Sequence, residues 1–332
     1  RSIFDRQFRP TRSLGGFCET LDGLPSEWHI DDMPLPLDIP IPTANFALRL
    51  QAGETTIFVG ANGSGKTRLA SWLEEKVGAD AHRISAHRAL TLNPSVVKVG
   101  ESQSRFQLIT GIGAGSFERF KNSNKADLRK GNRWNSQAAT FLLNDFDVLL
   151  QWLYAEQGNT AVNYLDKAYN GNAGEPTTTK FRQLSTMWER VLPTKHLIIT
   201  GDDIQVEPIS GSVEDRYSAA QMSDGERAIF YMIGQVLFAP TGVIIFDEPE
   251  LHVHRAVLGR LWDELEASRP DCAFVLITHD LEFAASRAGR KLVVRSFTSP
   301  ANWLVEEVPD DSGFDEQLTT LILGSRRPIL FV

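Results

Sequence analysis

Residues 60–67 read GANGSGKT and match the phosphate-loop spacing G-x-x-x-x-G-K-[ST] at each fixed position. Gly60, Gly63 and Gly65 permit backbone turns and a close approach that a Cβ would hinder, and Ala61, Asn62 and Ser64 fill the loop between them. At its end Lys66 reaches toward β- and γ-phosphates, and the Thr67 hydroxyl is placed to hold Mg²⁺. A second constellation lies far downstream. The apolar run VIIF ends in Asp247 and Glu248. An acid at the carboxyl end of a buried strand can bind the same Mg²⁺, because open α/β sheets bind ligands there. Glu248 beside it can polarise an attacking water if it is ionised and within hydrogen-bond reach.

Two further stretches complete the set. Ser223-Asp224-Gly225-Glu226 opens an apolar helical pattern, with serine at the N-cap and glutamate three residues on, as in a capping box. A helix start of that kind offers N–H groups to an anion. His279 follows an apolar strand and lies 32 residues after Asp247.

These residues need a scaffold. TIFV before the loop reads as a buried strand and 68–77 as a helix, so the loop sits at a helix N-terminus. Strands are expected at 45–50, 81–85, 196–200, 204–209, 243–246 and 272–278, with a hairpin from 291–297 and 303–308. Helices are expected at 136–157, 180–192, 223–239, 255–268, 281–288 and 314–323. Residues 1–45 read as irregular and proline-punctuated, with extended pieces at LPL and IPI. The β/α alternation lapses over 86–194, a mostly helical insertion. The fold class is therefore α/β: a phosphate-loop NTPase core with a mixed sheet and a helical insertion. Its core divides into 1–85 and 195–324, with 325–332 opening a possible following domain.

Bulk properties narrow the class. The 332 residues are 42% hydrophobic and 23% charged, an ordinary globular composition, and the net charge of −8 excludes a uniformly basic surface. Only Cys18 and Cys272 occur, so no disulfide framework is expected and a reducing cytoplasm is. Arg1 to Arg12 carry no signal pattern, and a first residue other than methionine suggests a trimmed chain. The apolar run 228–246 has the length of a membrane span, but Gln235 and Pro240-Thr241-Gly242 interrupt it; a buried helix, a turn and a buried strand are expected instead, and no membrane contact. Residues 117–133 are locally basic through Arg119, Lys121, Lys125, Arg129, Lys130 and Arg133. That stretch reads as a nucleic-acid contact, a site for an acidic partner, or a solvated surface.

Taken together, these motifs resemble the ABC class of ATPases. Ser223 and Gly225 match its Ser-Gly-Gly-Gln signature, whereas Asp224 and Glu226 depart from it, and Ser223 stands 24 residues before Asp247 as in that class. MSDGERAIFYMIGQ, FDEPELHVHR and ITHDLEFAASR look like the ATPase module of phage-defence proteins of the overcoming-lysogenization-defect (OLD) and PARIS kind. The resemblance covers about residues 45–308 outside the insertion. It implies ATP with Mg²⁺ as cofactors and a head-to-tail dimer or higher oligomer. Residues 60–67 with Arg68 would bind ATP in one subunit, and Ser223, Asp224, Gly225 and Glu226 would bind it from the other. Thr67 and Asp247 would hold the metal. Glu248, His279 and Lys66 would be catalytic, with the histidine on the γ-phosphate. His252 and His254, which alone would read as metal ligands, would face the second subunit. The Mg²⁺-sensing glutamine of the class has three candidates, Gln103, Gln107 and Gln137, and Phe46 is the candidate for the adenine-stacking aromatic. The closing GSRRPILFV is similar to the opening of a TOPRIM nuclease domain.

The resemblance implies a sensor and switch in antiviral defence, controlling a nuclease effector in cis or in trans after a phage protein triggers it. The alternative is a DNA-repair or chromosome-maintenance ATPase of the RecF and SMC group, but no sustained heptads appear in the insertion.

Overall fold

The computed structural model describes residues 34–308 except 43, 173, 202, 212 and 300. Its strands are β1 (Leu35–Ile41), β2 (Ala44–Leu50), β3 (Thr55–Val59), β4 (Ala81–Ile84), β5 (Lys195–Ile199), β6 (Ile204–Pro208), β7 (Tyr217–Ser218), β8 (Val243–Asp247), β9 (Ala273–Thr278), β10 (Arg290–Thr298) and β11 (Asn302–Glu307). The helices are α1 (Lys66–Val77), α2 (Glu101–Thr110), α3 (Phe117–Phe120), α4 (Lys125–Leu128), α5 (Phe146–Tyr169), α6 (Lys180–Val191), α7 (Asp224–Phe238), α8 (Arg255–Ser268) and α9 (Leu281–Ser286).

Six strands form the central sheet in the order β11-β10-β3-β9-β8-β4. All neighbours are parallel except β11, which pairs antiparallel with β10. The mixed α/β class expected from the sequence is what the structure shows. β3, β8 and β9 are buried along nearly their whole length, so they read as continuous apolar runs, as strands covered on both faces must. Their side chains still alternate. Ile57, Val59, Ile244, Phe246, Phe274 and Leu276 face a large cluster built with α5, α6, α7 and α8. Phe58, Val243, Ile245, Val275 and Ile277 face a second cluster with Leu69, Ala70 and Leu73 of α1 and with Leu48, Leu50 and Trp303.

The expected membrane mimic resolves as predicted. Residues 228–238 are buried in α7 and 243–247 form the buried strand β8, and among the described residues no helix is long and apolar enough to cross a membrane.

Two local expectations are sharpened and one, a helix at 136–157, fails. Residues 35–41 are a strand, pairing with β2 from Leu35↔Leu50 to Ile41↔Ala44 in a two-stranded sheet. Pro36 and Pro40 fit because β1 has an edge along which no N–H is needed. The helix expected at 136–157 is instead α5, Phe146–Tyr169. Before it, Leu143 N–H donates to His87 O and Ala89 N–H to Leu143 O, which holds the chain extended; after residue 157 the helix runs through solvent-exposed positions and so lacks an apolar face to read. The strands expected at 196–200 and 204–209 form as β5 and β6, and with β7 they make a separate antiparallel sheet. Cys18, the helix expected at 314–323 and the TOPRIM-like end lie outside the described residues.

Candidate nucleotide site

Gly65 is the N-cap of α1, with φ 92°, no side-chain cap and no acid in the first helical turn. The first N–H groups of α1 are thus left for an anion. The loop is pressed against the hairpin β10–β11. A Cβ on Gly65 would lie 2.3 Å from Phe297 Cβ, and one on Gly60 would lie 2.4 Å from Val294 O. Trp303 Nε1 donates to Gly65 O at 3.2 Å. Lys66 is buried and its Nζ folds over the loop, donating to Ala61 O at 3.2 Å and standing 3.7 Å from Glu248 Oε1. The Ser64 hydroxyl is buried with no hydrogen-bond partner among the described residues, and Ala61 and Asn62 lie exposed at the tip.

The carboxyl ends of β8 and β9 supply the acids. Asp247 is fully buried, and Thr67 Oγ1 donates to its Oδ1 at 3.4 Å while Oδ2 has no partner among the described residues. Burial pushes the Asp247 carboxyl up, against the pull of Arg83 and Thr67. A buried carboxylate oxygen without a donor beside a threonine hydroxyl is a site short of positive charge, so these two residues fit a divalent cation. Glu248 follows with φ 54°, unusual for a residue with a Cβ. Its N–H donates to Ile277 O at 2.8 Å, and the strained turn aims its carboxylate back toward Lys66 and His279. His279 Nδ1 bonds Glu248 Oε2 and lies 3.3 Å from Glu250 Oε1. Thr278 Oγ1 donates to Glu250 Oε1 at 2.5 Å. Burial pushes Glu250 up to about 7, with Glu248 adding to the shift and the Thr278 hydrogen bond opposing it.

The structure therefore joins Lys66, Thr67, Asp247, Glu248 and His279 in one place. It does not join Ser223, Asp224, Gly225 and Glu226 to them: among the described residues no hydrogen bond or ion pair connects that segment to residues 60–68. The expected capping box does form there. Glu226 N donates to Ser223 Oγ at 3.4 Å, and Glu226 Oε2 accepts from Ser223 N at 2.8 Å and Ser223 Oγ at 2.7 Å. Asp224 pairs with Arg227 at 2.6 Å. Burial raises Glu226, but donors from Lys195, Tyr217 and Ser223 outweigh it and hold the carboxyl at about 2.

Arg68 is exposed, with its guanidinium 5.2 Å from the centre of the Phe297 ring. Phe46 is half-buried beneath Arg290, 5.6 Å away. Gln103 and Gln107 accept from Gly100 N at 3.3 Å and Ala114 N at 3.2 Å, so both are spent on backbone flanking α2. His254 caps α8 by accepting from Ala256 N at 3.2 Å. The basic stretch is largely spent too. Arg129 and Arg133 are buried, holding Ala81 O and Gly78 O, and Leu108 O and Asp145, while Lys130 pairs with Glu75 at 2.8 Å. Cys272 is buried, which pushes its thiol up to about 11. Glu250 and Thr278 lie within the quoted motifs without a role assigned to them, and Phe297 and Trp303 lie outside every motif. The two aromatics carry no local signal because they reach the loop from a hairpin more than two hundred residues away.

A family described as "AAA domain, putative AbiEii toxin, Type IV TA system" matches residues 102–285, more than half of the chain. This chain belongs to that family. No curated protein matches it. Among solved structures it is similar to an SMC head bound to the C-terminal winged-helix domain of ScpA, at 16% identity over 84% of this chain and 97% of that one, TM-score 0.46. It is also similar to a nucleotide-free ATP-binding cassette from an ABC transporter, at 12% identity over 84% of this chain and 92% of that one, TM-score 0.40.

Proposed function

We propose that this chain is an ABC-type ATPase whose catalytic site is completed by a second copy, arranged head to tail. The reading is carried by the meeting of Thr67, Asp247, Lys66, Glu248 and His279 at the carboxyl end of the sheet, beneath an uncapped helix N-terminus. Residues 60–67 cradle the phosphates, with Lys66 exchanging its contacts to Ala61 and Glu248 for β- and γ-oxygens. Thr67 and Asp247 would hold Mg²⁺, which would neutralise phosphate charge. Glu248 orients a water for in-line attack and His279 steadies Glu248 and the γ-phosphate. Ser223 and Gly225 approach the γ-phosphate of the partner's nucleotide. Among the described residues no hydrogen bond or ion pair joins that segment to its own loop, so a second copy is the natural source of the missing half.

At the level of the cell, this ATPase acts as a sensor and switch in antiviral defence, with ATP-driven assembly controlling a nuclease effector of TOPRIM type. The toxin named in the family's description supports that role. So does the burial of Arg129 and Arg133, which removes two of the cations offered for nucleic acid. A composite site predicts ATP turnover per subunit that rises with protein concentration. Turnover independent of concentration would sink the dimeric reading, and stimulation by DNA with no effect of the gene on phage growth would favour repair.

A further inference from the structure

Glu226 is the least expected residue of the signature segment, because it sets a negative charge where a triphosphate must dock. Four donors converge on it. Oε1 accepts from Lys195 Nζ at 2.6 Å and from Tyr217 OH at 2.6 Å, and Oε2 accepts from Ser223 N at 2.8 Å and Ser223 Oγ at 2.7 Å. Lys195 Nζ also lies 3.1 Å from Tyr217 OH, closing a triangle. Among the described residues no other lysine or arginine pairs with Glu226, and the neighbouring Arg227 is taken by Asp224. Lys195 sits on β5 and Tyr217 on β7, so both arrive from the three-stranded sheet rather than from the signature helix.

We propose that Lys195 and Tyr217 are positioning residues for Ser223, which compensate Glu226 so that the serine can be surrendered to a nucleotide triphosphate held by another copy. The inference rests on the composite-site reading above. A serine hydroxyl has one proton, and here Glu226 holds it. For Ser223 to donate to a phosphate, that proton must turn away, and Glu226 must remain satisfied without it. Lys195 and Tyr217 provide the remaining donors. Without Lys195 the carboxylate would keep hold of the serine and repel the incoming anion.

The test measures how ATP turnover depends on protein concentration in the wild-type protein and in Lys195→Met, Tyr217→Phe, Glu226→Gln and the Lys195→Met/Glu226→Gln double variant. Binding of a fluorescent ATP analogue to the phosphate-loop half and circular dichroism are followed in parallel. Lys195→Met raises the concentration needed for half-maximal turnover by about tenfold, the loss being moderated because the lysine is partly exposed. Analogue binding stays unchanged. Adding Glu226→Gln to Lys195→Met returns the concentration to within about threefold of wild type, since a neutral amide needs no compensation. A purely structural role would lower the unfolding midpoint in circular dichroism and weaken analogue binding together with turnover, whereas the positioning role leaves the midpoint and analogue binding unchanged. If folded Lys195→Met matches wild type, or the double variant is no better than the single one, the proposal is overturned. Should Lys195→Met fail to fold, Tyr217→Phe decides: a rise of about threefold, relieved by Glu226→Gln, supports the proposal, and no rise overturns it. Wild-type protein without ATP turnover overturns the composite site and this inference with it, whereas active wild type with an indifferent Lys195 overturns this inference alone.

Discussion

The two helix N-termini that bear the motifs differ in who occupies them. α1 begins at Gly65, with no side-chain cap and no acid in its first turn. α7 begins at Ser223, with a complete capping box and both Asp224 and Glu226 in its first turn. The first is an anion site by default, since its N–H groups and helix dipole have no competing acceptor. At the second, Ser223 Oγ already accepts from Glu226 N, and its acids oppose an added negative charge. Identical backbone physics thus yields one terminus that can bind phosphate unaided and one that needs its contacts exchanged. The difference suits an assembly in which nucleotide binds first to one copy and then recruits another.

The comparison can be broken most severely at Glu248. Glu248→Gln keeps the shape of the residue but removes the charge that holds water, so turnover should fall about a thousandfold while ATP affinity is retained. Single-turnover kinetics beside calorimetry would separate the two, and unchanged turnover would remove Glu248 from the mechanism. Lys66→Ala acts on binding instead. Loss of a charge-assisted contact to phosphate should weaken ATP about a hundredfold in calorimetry. Wild-type affinity in that variant would mean that the α1 terminus is not the anion site.

Gly65→Ala probes why α1 is uncapped. The new Cβ would sit at φ 92° and overlap Phe297 Cβ at 2.3 Å, so the fold should lose about 2–3 kcal/mol in denaturant unfolding. A neutral result would show that Phe297 can yield. The smallest effect belongs to α7. Glu226 has its carboxyl at about 2 against an ordinary 4.5, so its contribution is complete above 4.5 and is lost as pH falls through 2. It amounts to about 1–2 kcal/mol after solvent screening. Urea unfolding at pH 5 and pH 3 should show that loss in the wild-type protein and not in Glu226→Gln. Equal acid sensitivity would mean the four donors do not stabilise the carboxylate.

Much of this site could be read in advance because its pieces are local. GANGSGKT between an apolar run and a helical pattern, VIIF before two acids, and Ser223 three residues before Glu226 each specify a strand end or a helix start within about ten residues. The helix before Pro270, Arg255–Ser268, appears at the limits its pattern indicates. Longer-range features were hidden. The amphipathic pattern near residue 140 misplaced α5, since the bridge between Arg88 and Leu143 competes with helix there. The basic run 117–133 looked like a surface, yet Arg129 and Arg133 turn inward to carbonyl groups contributed by distant segments.

By itself the sequence determined which groups can meet phosphate, metal and water, because those capacities reside in residue types and short spacings. It also determined the capping of α7, which closes within four residues. Only the tertiary structure decided that Trp303 and Phe297 brace the phosphate loop, that Glu248 adopts a positive φ to face Lys66, and that Lys195 and Tyr217 reach Glu226. Those contacts join residues far apart along the chain, and the packing of β-sheets and helices brings them together where no local pattern could.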